Sequence, residues 1–115
     1  MLKKLIMAAM LVVLPAAGNA ETSSLLLECG GHIVQLVSQP QTNYFKRIIA
    51  DNEMFNEQPG VTRQMDKGEV VTFFEAWKPG TMHSVTVAIW EKGGVFAMET
   101  NDKRQIWRAE CRQVK

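Results

Sequence analysis

The stretch "HSVTVAIWEKGGVFAMET", residues 83–100, decides the fold. Val85, Val87 and Ile89 alternate with Ser84, Thr86, Ala88 and Trp90, the period of two that puts one face of a β-strand on a core. "KGG" supplies the residues of a tight hairpin. "VFAMET" returns as a second strand, expected to bury Phe96 and Met98. The pattern spreads from there in both directions. Upstream, "EVVTFFEAW" is a strand and "KPGTM" a turn. Downstream, "NDK" reverses the chain and "RQIWRAECR" ends it. In that last strand Trp107, Ala109 and Cys111 face in, while Arg104, Arg108, Glu110 and Arg112 face out.

Nearer the N-terminus, "SLLLEC" places Leu25, Leu27 and Cys29 on one face, Gly30 and Gly31 make a turn, and "HIVQLVS" follows as a strand. "QPQTN" interrupts it, because Pro40 has no N–H to give a ladder. Residues 43–55 fit two readings. Tyr44, Phe45, Ile48 and Ile49 make a helical stripe with Asn43 as cap. The β-branched and aromatic content and the Asp51-Asn52 pair fit a strand and turn, which is the preferred reading. Residues 56–68 are polar, with a Pro-Gly and a Lys-Gly pair, and read as a mobile loop holding at most a short strand near 61–65. The sum is an all-β fold: a small antiparallel β-barrel or sandwich of about seven strands, with a short helix near 43–55 as the open alternative.

Lys3 and Lys4, the apolar run from Leu5 to Leu14, and the small residues of "PAAGNA" have the layout of a secretory signal peptide. Residues 1–20 are therefore expected to be removed, leaving 21–115 as one β domain, periplasmic or secreted, with no membrane insertion after cleavage. Losing Lys3 and Lys4 leaves 11 Lys and Arg against 12 Asp and Glu, which excludes the basic balance of a dedicated nucleic-acid binder. The two cysteines, Cys29 and Cys111, lie near opposite ends of the domain. In an oxidising compartment they read as one disulfide, both thiols on the core face, joining first and last strands.

No nucleophile elbow, phosphate loop, zinc-protease helix or calcium loop occurs in the chain. His32 and His83 read as hairpin-end residues, and Glu69, Glu75, Glu91 and Glu99 as solvated strand carboxylates. No catalytic residue, metal or cofactor is expected. The candidate binding residues are Trp77, Lys78, His83 and Trp90. Trp77 sits where a ring can cap a barrel end. Trp90 lies opposite the apolar triad of its strand, so it is either an exposed interface anchor or part of a second, partly covered sheet face.

The signal-like start, "LLLECGG" opening the domain and "AECR" closing it resemble the periplasmic inhibitors of c-type lysozyme. The resemblance implies a small exported β-barrel with one disulfide near the chain ends. That family's inhibitory loop has a Ser-Gly pair followed by Tyr; this chain has no Ser-Gly pair and its only tyrosine is Tyr44, so no functional residue is carried over. The expected function is a non-enzymatic protein-binding or inhibitory module of the cell envelope, its partner another protein. The alternatives are a lipocalin-like carrier of a small ligand and an enzyme.

Overall fold

A computed structural model describes residues 23–39 and 44–114. The expected signal peptide (1–20), its expected cleavage point and the expected break at 40–43 lie outside them. The described chain forms nine strands: β1 (Ser23–Cys29), β2 (His32–Gln39), β3 (Tyr44–Ala50), β4 (Glu53–Phe55), β5 (Glu57–Asp66), β6 (Glu69–Trp77), β7 (His83–Trp90), β8 (Val95–Asn101) and β9 (Arg104–Gln113). They make one antiparallel sheet in the order β4-β3-β2-β1-β9-β8-β7-β6-β5, curled into a nearly closed barrel.

The all-β reading holds, with nine strands rather than about seven. Both extra strands come from segments that the sequence left ambiguous. Residues 43–55 hold no helix among those described; Asp51 and Asn52 adopt φ of 51° and 68° and turn β3 back into β4. Positive φ at both central residues is what a type I′ hairpin needs, and the same holds at Gly30-Gly31, Lys67-Gly68 and Asp102-Lys103.

Residues 56–68 are not a loop. Ten of them form β5, paired with β6 from Asp66↔Glu69 to Glu57↔Trp77. Pro59 is tolerated because β5 is an edge strand, and the register shifts between Glu57 and Gly60, with Gln58 at φ 48°. β4 and β5 run on in one direction, interrupted only at Asn56. The first pairs with β3 and the second with β6, so this bent segment brings the two ends of the sheet together. Phe45 and Phe74 meet edge to face across the seam, centroids 5.3 Å apart.

A covalent tie lies at the middle of the sheet, between β1 and β9. Cys29 and Cys111 stand directly opposite each other in the β1–β9 ladder, and their disulfide links residues 82 apart in sequence. A disulfide in a small domain is compatible with an oxidising, exported location.

The barrel interior is filled. Leu27, Val34, Ile48, Phe55, Val85 and Val87 are at most 1% exposed, and burying each such side chain contributes about 1.5–3 kcal/mol. β8 reverses the expected facing. Ala97 lies opposite the inward Val87, and Val95 opposite Ile89, so Val95, Ala97 and Glu99 point in. Phe96 and Met98 point to the outer face. The hairpin register, not side-chain size, sets which residues of β8 are inside. Ser84 and Ala88 share the outward parity of Trp90 yet are buried, so this outer face is partly covered.

Candidate functional site

Antiparallel connectivity gathers alternate turns at one end of the barrel. The end marked by His83 carries the turns at Gly30-Gly31, Asp51-Asn52, residues 78–82, and Asp102-Lys103. The 78–82 turn is the longest of these and is tied at several points. The Lys78 N–H donates to the carbonyl of His83 at 2.8 Å, and the Thr81 N–H to that of Lys78 at 3.2 Å. Thr81 Oγ1 donates to the Lys78 carbonyl at 2.7 Å and accepts from the His83 N–H at 3.1 Å. From the neighbouring turn, the Asp102 N–H donates to the Met82 carbonyl at 3.1 Å. The Lys78 ammonium donates to Glu53 Oε1 at 2.7 Å and lies 5.5 Å from the centre of the Phe55 ring.

Beneath the turn lies a chain of polar and aromatic contacts. Glu99 faces in, not out. Its Oε1 accepts from the Trp107 indole N–H at 2.8 Å, and its Oε2 pairs with His83 Nε2. The imidazole of His83 meets the Phe55 ring edge to face at 5.1 Å. His32 stacks on Trp107 with centroids 4.0 Å apart, and its Nδ1 pairs with Asp51 Oδ2 at 2.7 Å. Asp51 Oδ1 accepts from the Ile33 N–H at 2.9 Å.

The carboxylates respond to these partners. Burial raises the Asp51 pKa, but the His32 and Ile33 hydrogen bonds and the imidazole's charge outweigh it, so the group sits below its ordinary value. The Lys78 hydrogen bond and charge hold Glu53 low. On the β1–β2 turn, the Gly31 N–H and then Arg112 do the same for Glu28.

Ligand atoms of Glu53, His83 and Glu99 lie within 4.8 Å of one another, a donor set that suits a divalent cation such as zinc. These atoms already have partners, however. An incoming cation would have to displace the Lys78 ammonium from Glu53 and part His83 from Glu99. The cluster therefore reads as a strut for the turn.

On the outer side, Trp77 lines a depression of about 680 Å3 with Glu57, Gln58, Gly80, Thr81 and Met82. Met82 is 53% exposed. The 56–68 segment and the 77–83 turn thus meet in one cleft.

Of the four candidate binding residues, Trp77, Lys78 and His83 come together at this end. Trp90 stands at the far end of β7, roughly 23 Å away at about 3.3 Å per residue. Its indole N–H donates to Asp66 Oδ2 at 2.8 Å, and its ring meets Phe96 edge to face at 5.8 Å. It forms one wall of a groove of about 110 Å3 shared with Phe73, Thr86, Phe96, Met98 and Arg108. Its own chain covers much of it.

Reading the sequence missed Glu53, Asp51, Glu99, Met82 and Gln58. The two histidines, read as hairpin-end residues, each pair with a carboxylate 16 to 19 residues away in sequence. The signal that could have found Glu99 is its alternation with Val95 and Ala97. Comparison of the chain with protein-family models, curated proteins and solved structures finds no match.

Proposed function

We propose that the protein is an exported, non-enzymatic binding module that acts on another protein, blocking or holding it with the 78–82 end of the barrel. The observation that carries the reading is a turn held by both its neighbours and its own hydrogen bonds, which still leaves Met82 exposed beside Trp77. An ordered loop that offers a methionine and a tryptophan binds with little entropy loss, and these side chains suit the centre of an interface. The signal-like leader and the disulfide support an envelope or extracellular location.

The carrier reading is weaker. Leu27, Phe45, Ile48 and Phe55 fill the space where a lipocalin-like ligand would sit, and the cleft at Trp77 opens outward. An enzyme is also weaker, because the His83–Glu99 pair is committed to the turn and to Trp107.

Photocrosslinking tests this. A benzophenone side chain placed at Met82 in the exporting cell should give one discrete adduct with another polypeptide. The same group at Leu26, on the outer face of β1, should not. Adducts from both positions, or from neither, would remove the barrel-end reading.

A further inference from the structure

β5 is an edge of the sheet, and residues 61–65 are exposed throughout. The two-residue turn at Lys67-Gly68 closes on the pair Asp66↔Glu69, which fixes the alternation along the hairpin. Asp66, Gln64 and Thr62 exchange backbone hydrogen bonds with β6. Val61, Arg63 and Met65 therefore turn their N–H and C=O groups outward. Among the described residues no further strand pairs with this part of the edge, and its one charged side chain is Arg63. Pro59 and the irregular register guard only residues 57–60.

The side chains on the same three residues share one face. Val61 is 41% and Met65 68% exposed, beside Phe74 and Val70 of β6. Arg63 lies between them, exposed, and no carboxylate among the described residues forms an ion pair with it.

We infer that residues 61–65 of β5 are a docking edge for an extended segment of another protein, which adds to the sheet as a further strand. Three outward residues offer about six backbone hydrogen bonds to an antiparallel strand. Residues directly opposite share a face, so the segment carries an apolar side chain against Met65, an acidic one against Arg63 and an apolar one against Val61. Its chemical signature is apolar-x-acidic-x-apolar. Glu57 and Gln58, at the start of the same strand, line the Trp77 cleft, so the docked segment lies in line with that cleft. The inference rests on the protein-binding reading but uses a different surface, and either can fail alone: the crosslinker at Met82 reports on the barrel end, whereas a peptide titration reports on β5.

The probe is a capped heptapeptide, Thr-Val-Thr-Glu-Thr-Val-Thr, added to 15N-labelled protein expressed from its full coding sequence. A control peptide carries Lys in place of Glu. Binding should be saturable, should shift the Val61, Arg63 and Met65 amides most, and should slow their hydrogen exchange. The Glu peptide should bind about three- to fivefold more tightly than the Lys peptide, the range of an exposed ion pair. Arg63→Glu should reverse that preference without touching the β6 ladder. Arg63→Pro, which removes one outward N–H, should weaken both peptides. No binding, no charge preference, or shifts centred elsewhere would overturn the assignment. So would a concentration-dependent dimer in which these amides are protected without peptide, because a second copy would then be the occupant.

Discussion

Replacing Glu99 with alanine would leave the Trp107 indole N–H and His83 Nε2 without the acceptor they share. Both lie in a partly buried site, where losing an acceptor costs about 1–3 kcal/mol per abandoned group. Urea denaturation of Glu99→Ala should show a loss of about 2–4 kcal/mol, with Glu99→Gln losing less because its amide oxygen still accepts from Trp107. Acid should find the other carboxylates. Asp51, Glu53 and Glu28 all have folded-state pKa values lowered from ordinary ones of 3.8 to 4.5. The stability they contribute is complete above the unfolded-state values and is lost as pH falls through the folded ones. The urea midpoint should therefore hold between about pH 7 and 5 and fall below about pH 4, and Asp51→Asn should flatten that fall. None of these pairings could be read from sequence. His32 and Asp51 are 19 positions apart, and only the β2–β3 register brings them together.

The strands that alternate cleanly, β1, β7 and β9, were legible, as was the turn between β1 and β2. A strand's period of two survives in sequence whenever one face is buried. It vanished in β5 because neither face of that edge is fully buried, so polar residues occupy both. The facing of β8 was misread for a different reason. Phe96 and Met98 are bulkier than Val95 and Ala97, and bulk was taken for burial. Amide exchange tests β5 as an element: the Thr62 and Gln64 amides, bonded to β6, should exchange far more slowly than those of Val61, Arg63 and Met65. A mobile loop would show uniformly fast exchange. The β1–β2 turn offers a second check. A Cβ added at Gly30, where φ is 60°, would lie 2.9 Å from the Ala109 Cβ of β9, and neither backbone can yield freely. Gly30→Ala should cost about 1–2 kcal/mol in thermal or urea unfolding, from strain and contact together.

The whole molecule is a sheet whose two ends are brought together by the bent β4–β5 segment, while the Cys29–Cys111 bridge ties the paired first and last strands, β1 and β9, at its middle. A cross-link closing so long a loop stabilises a chain by about 4–5 kcal/mol in the chain-entropy model. That is a large share of the roughly 5–15 kcal/mol typical of a domain. Reduction, or Cys111→Ser, should lower the melting temperature by more than any single core truncation except those of the largest side chains, such as Phe55. Cysteine parity made this bridge between first and last strands legible early, because both thiols share a face with core residues. The seam at Phe45 and Phe74 was not legible, since it depends on β5 being a strand at all.

The functional account depends on the 78–82 turn being ordered before any partner arrives. Backbone 15N relaxation of the free protein measures this directly. The account predicts order parameters for Gly80, Thr81 and Met82 within the range of the flanking β6 and β7 residues, about 0.8 or higher. Values below about 0.6 across those residues would mean a mobile loop, and would contradict the claim that the barrel end is a preformed binding surface.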